Sequence, residues 1–221
     1  MTLFKKVIFY CLGLFLLAMG VTFSIKSDLG VSPINSIPYV LSLFTSIEQG
    51  IWIIIFFSFF ILVQIVLLRK EFRPVNLFQL TFAIAFGYFV TLSNFIFSFE
   101  APTHYVLRLI LLAISILLIA CGVLLYLRVN LIPMPAEGCM LAIVKKTGIT
   151  FSKVKSYFDT SVVVLAGLLA IIFLGKLTGI REGTVLAAIL VGKLVGILNQ
   201  IFKTQLIAFD YFINSNNNKA D

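Results

Sequence analysis

Residues 27–42 read SDLGVSPINSIPYVLS, and residues 129–142 read VNLIPMPAEGCMLA. Both runs set turn-forming and polar residues among long apolar stretches, and their reading decides the fold. Ser32-Pro33 has the form of a helix start: a side chain able to accept from free backbone N–H groups, then proline at the first helical position. Gly30 lets the chain turn sharply beforehand. Pro133, Met134 and Pro135 make a similar start. The helices expected to follow, Ser32 to Ser46 and Pro135 to about Val144, are too short to cross a bilayer. Segments of about 10–14 residues are more often re-entrant or interfacial.

Around these runs the chain is built for lipid. Of 221 residues, 61% are hydrophobic and 12% charged, with a mean hydropathy of +1.11. A soluble domain is nearer half apolar and a quarter charged. Six further apolar segments, about 7–25, 51–68, 77–98, 106–127, 157–175 and 184–202, are each long enough to cross as a helix. The first starts like a signal peptide, but its apolar run continues through Ile25, so it is read as an uncleaved first span. The residues from about 207 to 221 form a polar tail.

With six crossings and both termini in the cytoplasm, twelve Lys and Arg fall inside. Four (Lys26, Arg108, Lys176 and Arg181) fall outside. That bias follows the positive-inside rule and depends on the two short segments entering and leaving on one side. It also accounts for the formal net charge of +8, so no nucleic-acid partner is expected.

The two runs align without a gap. Gly20 falls on Gly122, Lys26 on Arg128, Asp28 on Asn130, Leu29 on Leu131, Pro33 on Pro135 and Asn35 on Glu137. After a small insertion, Gly87 falls on Gly192, Val90 on Val195 and Asn94 on Asn199. Each copy crosses three times, an odd number, so the copies insert in opposite senses, as in many secondary transporters. The expected fold is an all-α membrane protein of six transmembrane helices plus two short re-entrant or broken helices. These form two inverted three-span repeats, about 5–99 and 105–205, within one membrane domain spanning 1–205.

A helix starting inside the membrane turns unsatisfied N–H groups and partial positive charge on its surroundings. Such backbone survives only where protein or a wet cavity surrounds it. The candidate solute-binding residues are therefore Ser32, Pro33, Asn35 and Ser36 at one start, Pro135, Glu137 and Gly138 at the other, and Thr184 and Lys193 on the last span. Lys193 lies about ten residues from either end of that span. A lysine at such depth costs about 2.5–3.5 kcal/mol on insertion scales. It is expected to face inward and pair with Glu137, Asp28 or an anionic group on a solute. Glu137 reads either as a cap at a helix start or as a proton- or cation-binding group. Asp28, Asn94 and Asn199 are second-tier candidates, and helix–helix hydrogen bonding suffices to explain the two asparagines. Asp159 reads as the local partner of Lys155. His104 has no metal-ligating company, and no nucleophile triad, phosphate loop or dinucleotide fingerprint is present. No enzyme, cofactor or metal is expected.

The stretch from Gly13 to Ser42, GLFLLAMGVTFSIKSDLGVSPINSIPYVLS, resembles the start of the YczE/YyaS/YitT family of bacterial multi-pass membrane proteins. The stretch GIREGTVLAAILVGKLVGILNQIF, 179–202, is similar to that family's closing helix. The resemblance rests on Leu29-Gly30-Val31-Ser32-Pro33 and Gly183-Thr184 and covers about residues 5–205, as in the short YczE-like branch. It implies a multi-pass protein of the bacterial plasma membrane and no particular substrate. Asn35 departs from the acidic residue expected just after Pro33. The expected function is secondary transport of a small solute bound between the two short helices near the bilayer midplane. The alternative is a non-transporting accessory or substrate-binding subunit of a larger complex, with 145–155 (KKTGITFSKVK) as its docking loop. The partners expected are the lipid bilayer and an unidentified small solute, with a second copy or an accessory chain left open.

Overall fold

A computed structural model describes residues 2–207, so all of the expected tail but Ile207 lies outside the described residues. The described chain is helical, in eight α-helices: α1 (Thr2–Ser27), α2 (Pro33–Thr45), α3 (Gln49–Leu68), α4 (Gln79–Ile96), α5 (Tyr105–Val129), α6 (Pro135–Thr147), α7 (Phe151–Leu174) and α8 (Glu182–Ile201). Two short 3-10 turns, Arg69–Glu71 and Pro74–Phe78, join α3 to α4. Six helices, all but α2 and α6, are long and apolar enough to cross a membrane. Their outer surface carries exposed Phe59, Val66, Tyr88, Phe95 and Ile172 among many other large apolar side chains. Such a surface is at rest only in lipid.

Lipid tails are as apolar as leucine, so these helices gain little from hiding grease from one another. Close packing and internal hydrogen bonds hold them instead. Helices α1 and α5 form the central contact and run antiparallel. A Cβ on Gly122 would fall 2.6 Å from the Gly13 carbonyl oxygen, and one on Gly20 would fall 3.0 Å from the Ser115 carbonyl oxygen. The Ser115 hydroxyl donates to the Gly20 carbonyl at 2.7 Å. Tyr10, Leu14, Ala18 and Val21 on α1 are wholly buried, so the first apolar segment is the centre of the fold.

Around this pair, contacts fall in matched sets. Helix α4 packs on α1 as α8 packs on α5. Helix α2 packs on α7 as α6 packs on α3, and α2 meets α3 as α6 meets α7. The aligned positions also share backbone geometry. Asp28 (φ 52°) and Asn130 (φ 50°) both turn left-handed where α1 and α5 end, and Ser46 (φ 57°) and Gly148 (φ 70°) do so where α2 and α6 end. One match is missing: α3 lies along α4, whereas α7 and α8 make no comparable contact.

Helices α2 and α6 start where the prolines place them and have 13 residues each. The capping expected at the first start is absent. Ser32 makes no side-chain cap; its hydroxyl instead accepts from Asn35 Nδ2 at 2.9 Å. Helix α7 begins at Phe151, several residues before the apolar run. Gly148 closes α6 and Thr150 opens α7 at once, so most of the expected docking loop is helix.

Candidate functional site

The starts of α2 and α6 meet across a cavity of about 440 Å³. Ser32, Pro33 and Asn35 line it from one start, and Pro133 and Glu137 from the other. Leu17 and Val21 of α1, Ile119 and Val123 of α5, and Ala187 and Val191 of α8 form apolar walls. Tyr126, Lys155 and Asp159 supply the remaining polar lining. A second cavity of about 490 Å³ adjoins it between α7 and α8, sharing Pro33, Lys155, Asp159 and Ala188 and adding Thr184. The second cavity thus lies between α7 and α8, which make no contact comparable to that of α3 and α4, and it adjoins the main one.

Each start presents a polar side chain on its third residue. Glu137 Oε1 accepts from the Tyr126 hydroxyl at 2.8 Å, while Oε2 is buried with no hydrogen-bond partner among the described residues. Asn35 is 2% exposed; its amide nitrogen donates to Ser32, while Oδ1 is buried and unpartnered. Native proteins leave few buried polar atoms unpaired, because each forgoes a hydrogen bond it would make in water. Two acceptors in this condition, at aligned positions on one cavity, are the strongest chemical signal in the fold.

The supports of the site are polar too. Gln64 and Gln79 bond to each other (2.9 Å and 3.2 Å), and Gln64 Nε2 also donates to the Pro135 carbonyl at 3.1 Å. A Cβ at Gly138 would fall 2.7 Å from Gln64 Oε1. This buried amide pair therefore clamps the start of α6. Tyr10, beside Tyr126, donates to the Ile132 carbonyl at 2.9 Å.

Several sequence candidates lie elsewhere. Lys193 is exposed on α8 and forms no ion pair among the described residues. The cavity face of α8 is Ala187, Ala188, Val191, Gly192 and Val195, and the helical step of one residue past Gly192 turns Lys193 outward. Depth along a span says nothing about which way a side chain points, so the expected pairing with Glu137 or Asp28 is not formed. Asp28 is exposed and bridges Arg108 (2.7 Å) and Arg181 (3.6 Å) at the far end of the bundle. Pro135, Ser36 and Gly138 are buried behind the cavity: the Ser36 hydroxyl donates to the Pro33 carbonyl, and Gly138 rests on Gln64. Thr184 is buried at the start of α8 and lines only the second cavity. Asn94 accepts from Thr22 (2.7 Å) and donates to Gln49 (3.3 Å), and Asn199 accepts from Arg128 (3.4 Å). Both are helix–helix bonds. Lys155 and Asp159 form the expected local pair at 2.9 Å but also border the cavity. The sequence reading passed over Tyr126, whose signal was its place on the apolar α5 directly before the second run.

The motifs at Leu29–Pro33 and Gly183-Thr184 touch. The Val31 N–H donates to the Gly179 carbonyl (2.9 Å), and the Gly183 N–H donates to the Leu29 carbonyl (2.7 Å). Gly30 holds φ 111°, and a Cβ there would fall 2.5 Å from Thr184 Oγ1. Only glycine suits both the angle and the space. One family model, DUF6198, a family of unknown function, matches residues 4–200. The chain belongs to this family. Two proteins of Bacillus subtilis (strain 168) are similar to it over most of their length. The uncharacterized protein YyaS is 29% identical over 206 residues, covering 92% of this chain and 96% of that protein. The uncharacterized membrane protein YczE is 29% identical over 188 residues, covering 85% and 82%. No solved structure matches. The resemblance carried by the two touching motifs is borne out for YyaS and YczE, and the protein is a multi-pass membrane protein of this group.

Proposed function

We propose that this protein is a secondary transporter or permease of the bacterial plasma membrane, with cytoplasmic termini, that binds a small solute where α2 and α6 begin. One observation carries the reading: two helices start beside a shared cavity and present Asn35 and Glu137, at aligned positions, each with an unpartnered oxygen. Broken helices meeting at a repeat interface are the way many transporters hold solutes. The matched helix contacts and matched left-handed turns support the inverted repeat read from the sequence. The orientation is supported by the clustering of Glu71 with Lys145 and Lys146 at the end of the bundle where α7 begins.

The missing match suggests the motion. Gly87 of α4 sits against Gly50 of α3, whereas its aligned partner Gly192 has nothing within 4 Å and lines the cavity. Closing α7 on α8 at Gly192 while α3 parts from α4 at Gly87 interconverts two arrangements of opposite sense. The cavity is thereby exposed to each side of the membrane in turn.

The test is a comparison of small metabolites inside and outside cells with and without the gene, followed by flux of the altered solutes in proteoliposomes. A solute whose flux requires the protein and is lost in Glu137→Gln and Asn35→Ala supports the reading. No solute effect in cells or proteoliposomes sinks it.

A further inference from the structure

We propose that the cavity selects cations, specifically a protonated amine on an apolar body; this rests on the cavity being the solute site, as above. Three side-chain donors in its polar lining are already engaged. The Tyr126 hydroxyl is given to Glu137, the Asn35 amide nitrogen to Ser32, and Lys155 is paired with Asp159 at 2.9 Å. Two acceptors remain unspent, Glu137 Oε2 and Asn35 Oδ1, beside one hydroxyl proton on Ser32, which accepts from Asn35. The turn that carries Asn35 holds a third acceptor. Pro38 has no N–H and cannot donate to the carbonyl of Ile34, its partner one helical turn back and itself a lining residue.

Charge points the same way. The charged groups bordering the cavity are Glu137, Asp159 and Lys155. The last two offset each other and the Lys155 side chain is about half exposed, which leaves one carboxylate facing the interior. A solute bringing positive charge and N–H donors is favoured beside this carboxylate, and a carboxylate-bearing solute would meet it with repulsion. The remaining walls are aliphatic, so the amine rides on a hydrocarbon or aromatic body, within the size range usual for small-molecule sites. The opposing influence is the start of α2, whose first turn has no acidic residue to offset its positive end.

Charge-selective thiol labelling tests this on the full chain in nanodiscs. Val191→Cys places a thiol on the α8 wall. Methanethiosulfonate reagents carrying a quaternary ammonium or a sulfonate are applied, and rates are taken above those of the parent chain, which retains Cys11, Cys121 and Cys139. The ammonium reagent is expected to react faster by about tenfold or more after correction for a free thiol, as charged clefts focus counter-ions. Glu137→Gln should erase the preference, and Asn35→Asp, adding a carboxylate at the aligned position, should enlarge it. Hexylammonium should protect the thiol, and hexanoate should not. Equal rates, or a faster sulfonate, overturn the cation assignment and leave the solute cavity standing, with the start of α2 as the governing charge. If neither reagent reacts while a control thiol at the exposed Lys153 does, the chamber is closed to water. The solute reading then falls, and the assignment with it.

Discussion

The difference between the two halves of the fold can be measured with a matched pair of substitutions. A Cβ at Gly87 would fall 2.6 Å from the backbone oxygen of Gly50 and 2.5 Å from Cγ1 of Ile54. The isoleucine can rotate away, but the carbonyl belongs to α3. Ordinary contact begins at 3.4 Å, so Gly87→Ala forces α3 and α4 apart by nearly 1 Å, and over-packing of this kind costs about 1–3 kcal/mol. Gly192→Ala meets nothing within 4 Å. Both changes gain the same helix propensity, about 0.8–1.0 kcal/mol. That term cancels between them, and the difference isolates the packing. For a chain of this length roughly 2–4 °C accompanies each kcal/mol, so Gly87→Ala should melt about 2–12 °C below Gly192→Ala. Thermal unfolding of the purified proteins followed by circular dichroism reads this directly. Equal melting temperatures would mean that α7 and α8 pack on each other as α3 and α4 do for much of the time. The asymmetry on which the transport motion was built would then be wrong.

Three other predictions follow from the geometry. Tyr126→Phe removes the side-chain donor to Glu137 Oε1 and should destabilise by about 1.5–3 kcal/mol, the value of a hydrogen bond to a charged group; unchanged denaturant unfolding would show that the bond is not formed. Gln64→Leu strands Gln79 and the Pro135 carbonyl and should lose about 1–3 kcal/mol, while Gln64→Leu with Gln79→Leu should recover part of it. A strictly additive double-mutant cycle would disprove the amide clamp. Lys193→Leu should improve membrane insertion by about 2.5–3.5 kcal/mol, because the ammonium faces outward at mid-span. It should also leave Val191→Cys labelling unchanged, and a lost charge preference would return Lys193 to the cavity.

How legible the site was depended on the kind of signal. Pro33 and Pro135 mark helix starts by removing an N–H and fixing φ, which is local chemistry, and both starts fall where the sequence put them. The alignment of Asn35 with Glu137 was legible for the same reason. Capping by Ser32 was not, because a hydroxyl chooses among all partners within reach, and Asn35 is one helical turn away. Nor was Tyr126, whose role exists only because α5 and α6 fold back to bring its hydroxyl to Glu137.

Composition and apolar run length determined by themselves that this is an all-helical membrane protein with six spans and two short helices. The cost of placing backbone and charge in lipid exceeds any packing preference, and it can be read along the chain without knowing what touches what. Tertiary structure alone decided which polar groups share the cavity, and it sent Lys193 to the outside and Asp28 to a pair of arginines. In lipid a helix can rotate its face toward a neighbour with little change in hydrophobic energy. Facing is therefore settled by close packing at positions such as Gly20 and Gly122, which no periodicity in an almost uniformly apolar helix records.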